Sequence, residues 1–210
     1  MSSLGIPINN SDYTNHSAMS GLLSYDISEG QQNDDFLSSS LVIGLGLGAY
    51  AHKIYGPLTE KIVKILGVPT GLPDPFGGLD LLTKLVLTPF VCFLGPISEE
   101  QTFRGDLQGT LREKFESYFV NRGFSESTAN IAARVTAIFF ASVIFGLVHF
   151  MNAIVFWCNP ILFLPQVVAA TIMGLIFGLA KECAGNLDMP IGMHIGNNTL
   201  AWANYLRMSL

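Results

Sequence analysis

Apolar and charged positions are very unevenly distributed along this chain. From Val135 to Ala180 there are 46 consecutive residues without Asp, Glu, Lys or Arg. One membrane-spanning helix needs about 20 predominantly apolar residues, so this run predicts two. Asn159-Pro160 is the expected break between them, because Pro cannot continue a helix and pushes the residue before it out of helical geometry. Phe36 to His52 is uncharged and Gly-rich, Leu85 to Ser98 is uncharged and shorter, and Met189 to Leu206 is uncharged near the C-terminus. These segments predict an all-α polytopic membrane bundle of about six transmembrane helices.

The first 35 residues break this pattern. They are rich in Ser, Asn, Asp and Gly, with neither a basic stretch nor an apolar core, so they read as neither signal peptide nor span. We expect a flexible acidic extension over residues 1–35 and an integral membrane domain over 36–210. Lys53, Lys61 and Lys64 are expected in the connection after the first span, on the cytoplasmic side.

Composition sharpens the division. Of 210 residues, 50% are apolar and 13% charged, against about 25% charged in ordinary soluble domains. The net charge of -5 resides in Asp12, Asp26, Glu29, Asp34 and Asp35, since residues 36–210 hold 11 basic and 11 acidic side chains. With no excess of cations, nucleic acid is not an expected partner. Cys92, Cys158 and Cys183 are widely spaced in apolar company, which predicts buried thiols and neither a disulfide framework nor a metal knuckle.

Ionisable groups in so apolar a chain are functional candidates by default. Three clusters qualify. In Ser98-Glu99-Glu100-Gln101-Thr102-Phe103-Arg104, helical spacing lets Glu100 pair with Arg104 at i,i+4 and leaves Glu99 rotated about 100° away. The plain alternative is a capping box from Ser98 to Gln101, with acidic residues favoured by the helix dipole. His149 ends the apolar run that starts at Val135, and a lone His there is otherwise a hydrogen-bonded core residue. His194 and Asn198 share a helix face; their alternative role is to join helices. Together the clusters supply what hydrolysis needs. A carboxylate and an imidazole can deprotonate water, and a second imidazole with an amide can donate to a developing oxyanion.

These residues resemble the CAAX prenyl protease and bacteriocin-processing (CPBP, or Abi) family. E-E-x-x-x-R is met by Glu99-Glu100 to Arg104, F-x-x-x-H by Phe145 to His149, and H-x-x-x-N by His194 to Asn198. Phe103-Arg104-Gly105 and the Gly174-x-x-x-Gly178 helix leading to Pro190 extend the likeness to about residues 80–205. The resemblance implies a polar cavity inside the bundle and a glutamate-dependent intramembrane protease that needs no metal or cofactor. Glu99 is then the general base, helped by His149; His194 and Asn198 stabilise the oxyanion; Glu100 and Arg104 support the site. Which of Glu99 and Glu100 is the base stays open at this stage. The implied partners are membrane lipid and a peptide or lipidated-protein substrate.

Rival readings place the same residues differently. Glu99, His149 and His194 form a conceivable zinc ligand set, although no H-E-x-x-H occurs. A non-catalytic immunity or scaffold protein would use the clusters as helix-bridging networks, and a transporter would use them as an ion path. Phe139, Phe140, Phe156, Trp157 and Phe163 are candidate walls for a prenyl pocket, with lipid-facing or core packing as the alternative.

Overall fold

The computed structural model describes residues 38–67, 76–155 and 159–208. Every regular element among them is helical. The acidic extension expected over residues 1–35 lies outside the described residues.

Helix α1 (Ser39–Ile65) starts at Ser38, whose Oγ accepts the Leu41 amide at 3.2 Å, the usual side-chain answer to the orphan donors of a helix start. Helix α2 (Leu81–Asn121) is continuous over 41 residues and is capped by Asp80, which accepts the Thr83 amide at 2.7 Å. At about 1.5 Å per residue it is longer than the hydrocarbon core is thick. Its charged C-terminal part, from Arg112 to Glu116, therefore reaches past the apolar layer. Helix α3 (Glu126–Val148), capped by Ser125, is followed by the short α4 (Met151–Val155). A 3-10 turn at Pro160–Phe163 leads into α5 (Leu164–Ala184), which ends at Gly185 with φ 71°, and α6 (Asp188–Met208) follows.

Three of these helical stretches, Leu81–Asn121, Glu126–Val148 and Pro160–Ala184, are long and apolar enough to cross a membrane. Their outward faces carry Val135, Phe139, Phe140 and Leu179 in the open, the side chains that lipid rather than water solvates. Helices α1 and α6 are less apolar, so among the described residues three stretches meet this measure where about six spans were expected.

Small residues set the helix spacing. Ala129, Ala133, Ala137 and Ala141 recur every four positions on α3 and are all buried. On α1, Gly44 and Gly48 lie against the Met189 and Met193 carbonyls of α6; in return Gly192 and Gly196 lie against the Leu41 and Leu45 carbonyls of α1. Glycines four apart on both partners let the backbones approach to contact. Gly174 of α5 packs in the same way on Ser142 of α3.

The structure corrects four local expectations. Lys53, Lys61 and Lys64 lie on α1 itself, because its helical pattern continues through Pro57 to Ile65. Ser98 is inside α2 and caps nothing, so the capping-box alternative fails. The break inside the long uncharged run is present at Asn159-Pro160, where Asn159 is extended, but it is not the end of the first span: α3 already stops at Val148, and the short α4 follows. Of the thiols expected to be buried, Cys92 is, but Cys183 is exposed in the last turn of α5, where neighbouring helices no longer cover it; Cys158 lies outside the described residues.

Candidate active site

Helix α2 is not uniform where the acidic motif sits. Two π-helical stretches, Phe90–Leu94 and Gln101–Leu107, flank Gly95–Glu100. Such π segments are uncommon and gather at functional sites because they re-aim the side chains that follow. The first has a direct local cause. The Gly95 amide, which would serve Val91 in α geometry, donates to Phe90 O. The next donor in line would be residue 96, a proline without an N–H. The Val91 carbonyl is thereby left for a side chain, and Asn198 Nδ2 donates to it at 3.1 Å.

Glu100 is fully buried. Its Oε1 accepts from Arg104 Nη1 at 3.2 Å and from His194 Nδ1 at 2.8 Å. Arg104 is equally buried, its guanidinium 4.3 Å from the centre of the Phe145 ring and 5.6 Å from that of Phe177, where ring quadrupoles stabilise a cation. The expected i,i+4 pair is therefore present, and charge neutralises charge in the dry interior. One helical step away, the Glu99 side chain is 40% exposed and its Oε2 lies 3.8 Å from His194 Nε2, within ion-pair reach and beyond hydrogen-bond length.

His149 stands at the C-terminal end of α3, with Nδ1 2.8 Å from Phe145 O. A carbonyl only accepts, so Nδ1 carries the proton and Nε2 of the neutral ring keeps its lone pair. His194 is held likewise: with Nδ1–H given to Glu100, its neutral form is a base at Nε2 and its protonated form a donor there.

A cavity of about 910 Å³ is lined by Glu99, His149, His194 and Asn198 together, with Tyr55 and Thr59 of α1 also on its wall. Glu100 and Arg104 lie behind it. Six helical segments converge here: α2 between Phe90 and Phe103, the end of α3, the start of α4 at Met151 and Asn152, the start of α5, one face of α6 and the C-terminal half of α1. Among the described residues no group of three His, Cys, Asp or Glu side chains is arranged to hold a metal ion. Phe90, Phe103 and Phe145 supply the aromatic walls. Of the aromatics considered for a prenyl pocket, Phe139 and Phe140 face outward, Phe163 is core, and Phe156 and Trp157 lie outside the described residues.

The sequence reading missed the residues that hold Asn198. Asn197 Nδ2 donates to Asn198 Oδ1 at 2.9 Å, and Asn197 Oδ1 accepts from Tyr55 Oη and from His52 Nδ1, the latter at 3.0 Å. His52 and Tyr55 at i,i+3 were polar groups on a Gly-rich apolar helix, a detectable signal; their partner Asn197, 145 and 142 residues away, was not. Asn152 and Gln166, joined at 3.0 Å, add a second amide pair on the cavity wall.

A helical membrane bundle with carboxylate, imidazole and amide groups around one internal cavity has the architecture of an integral membrane hydrolase. The family model for type II CAAX prenyl endopeptidases of the Rce1-like kind matches residues 81–200, more than half of the chain, and the protein belongs to that family. It is thus a multi-pass membrane protein of an endopeptidase family. Comparison with curated proteins and with solved structures gives no match.

Proposed function

We propose that the protein hydrolyses a peptide bond of a prenylated or otherwise membrane-associated peptide through water activated by Glu99 and His149. The observation that carries this reading is that Glu99, His149, His194 and Asn198 line one cavity while Glu100, itself paired with Arg104, holds His194 from behind. Glu99 is the better base of the two glutamates because it reaches the cavity, whereas Glu100 Oε1 is occupied by two donors.

Glu99, with His149 Nε2 beside the same space, takes a proton from water as its oxygen attacks the carbonyl carbon. The carbonyl oxygen gains the charge and accepts from Asn198 Nδ2–H and from protonated His194 Nε2–H. Collapse breaks the C–N bond, and the proton taken from water passes to the leaving amine. With His194 Nδ1 committed to Glu100 and His149 Nδ1 to Phe145 O, one nitrogen of each ring is left for the chemistry. The apolar walls from Val63, Phe90, Phe103 and Met173 suit a lipidated or apolar substrate. We also take α1 and α6 as membrane-embedded, since α1 shows Val42, Ile43, Leu47 and Ile54 outward; with the three apolar helices this makes five of the about six spans expected.

The test is cleavage of a quenched-fluorescent farnesylated peptide by the full chain in lipid nanodiscs. Glu99→Gln and His149→Ala are each expected to lower kcat by about 10²- to 10⁴-fold, with thermal stability unchanged and wild-type activity surviving a chelator. Full activity in both variants would falsify the mechanism. Binding of the peptide without cleavage by the wild type would instead favour a scaffold.

A further inference from the structure

Helix α1 lies outside the stretch that matches the family, yet its polar residues end on the amide of Asn198. The direction of each bond in that chain follows from elementary chemistry. Val91 O can only accept, so the nitrogen of Asn198 must face it and the amide oxygen must face Asn197. Asn197 must then present its own nitrogen to Asn198, and its Oδ1 is turned toward α1. There the Tyr55 hydroxyl and His52 Nδ1–H both donate to it, and the two donors lie 2.9 Å from one another. Tyr55 and Asn197 are both buried, so water does not readily replace a lost partner.

One N–H of Asn198 is spent on Val91, and the second remains for the cavity that Asn198 lines. A rotation of the Asn198 amide by half a turn would bring an acceptor where a donor is needed. We propose that His52 and Tyr55 are positioning residues: through Asn197 they lock the Asn198 amide with a donor toward the reacting carbonyl oxygen, so that α1 is part of the catalytic apparatus. The proposal rests on the reading of Asn198 as an oxyanion donor. Helix α1 can hold this register because Gly44, Gly48, Gly192 and Gly196 seat it directly on α6.

The experiment uses the full chain in nanodiscs, the same farnesylated peptide, and ¹⁵N-asparagine labelling to observe the side-chain amides. Tyr55→Phe is expected to lower kcat about fivefold to tenfold with KM unchanged, the size of one lost buried hydrogen bond expressed only in the transition state. Asn197→Asp, isosteric and without a donor when ionised, is expected to lower it further. In an Asn198→Ala background Tyr55→Phe is expected to cost nothing more, because the relay then has no amide to hold. In Tyr55→Phe the side-chain amide signals of both Asn197 and Asn198 are expected to shift. The proposal is overturned if the Asn198 signals do not move in Tyr55→Phe, or if Tyr55→Phe slows the enzyme equally with and without Asn198. Wild-type activity in Asn198→Ala overturns the oxyanion reading instead, and the amide signals alone then judge the relay.

Discussion

Glu100 and Glu182 are both held by arginine, in opposite surroundings. Glu100 meets Arg104 and His194 with no exposed surface, at the back of the cavity. Glu182, in the last turn of α5, accepts from Gln108 at 2.9 Å and faces Arg112 at 3.6 Å and Arg134 at 3.7 Å, and the Arg134 side chain is 43% exposed. Gln108 is buried, but Arg112 and Arg134 of the outer group are partly exposed and can exchange their long contacts to Glu182 for water. The inner group cannot. Its charges are stable only as a set, and the set delivers an oriented imidazole to the cavity.

This contrast can be broken by removing one member from each group. The largest effect is expected from Glu100→Ala, which strands the Arg104 cation in the interior and costs about 3–5 kcal/mol, read as a fall in melting temperature. Replacing both partners, Glu100→Gln with Arg104→Met, is expected to recover most of that stability, since apolar replacement of a buried pair is often neutral. Peptide cleavage should stay lost, because the anion beside His194 is gone; a double variant as unstable as Glu100→Ala would show that the pair is structural in its own right. An intermediate effect is expected from Gly48→Leu, whose side chain would press on the Met193 carbonyl of α6. Overpacking of this kind costs about 1–3 kcal/mol, and cleavage should fall with it because Tyr55 leaves Asn197. The smallest is Glu182→Gln, expected to change stability by no more than about 1 kcal/mol, with kcat unaltered. A loss of cleavage in that variant would erase the distinction between the two groups.

Much of the architecture was legible because membrane helices advertise themselves by the absence of charge. Val135 to Ala180 announced α3 and α5, and the i,i+4 spacing of Glu100 and Arg104 announced their pair. Two of the local failures share one cause. Ser98 looked like a cap, and Lys53, Lys61 and Lys64 looked like a loop, because capping residues and charges usually mark helix ends; here packing carries both helices through them. The π segments escaped notice because hydropathy does not mark them. Pro89 and Pro96 lie inside the expected span Leu85–Ser98, and the helix absorbs them by widening its turns.

The sequence by itself determined the membrane class, the apolar stretches that become α3 and α5 and the candidate set Glu99, His149, His194 and Asn198, since these depend on composition and on spacing within single helices. Only the tertiary structure decided which glutamate faces the cavity, which of its nitrogens His194 gives to Glu100, and that α1 reaches the site through Asn197. Those facts depend on pairs such as His52 with Asn197 and Glu100 with His194, separated by 145 and 94 residues. No local periodicity encodes such pairs; helix packing, set here by glycines and a proline-freed carbonyl, brings them into hydrogen-bonding range.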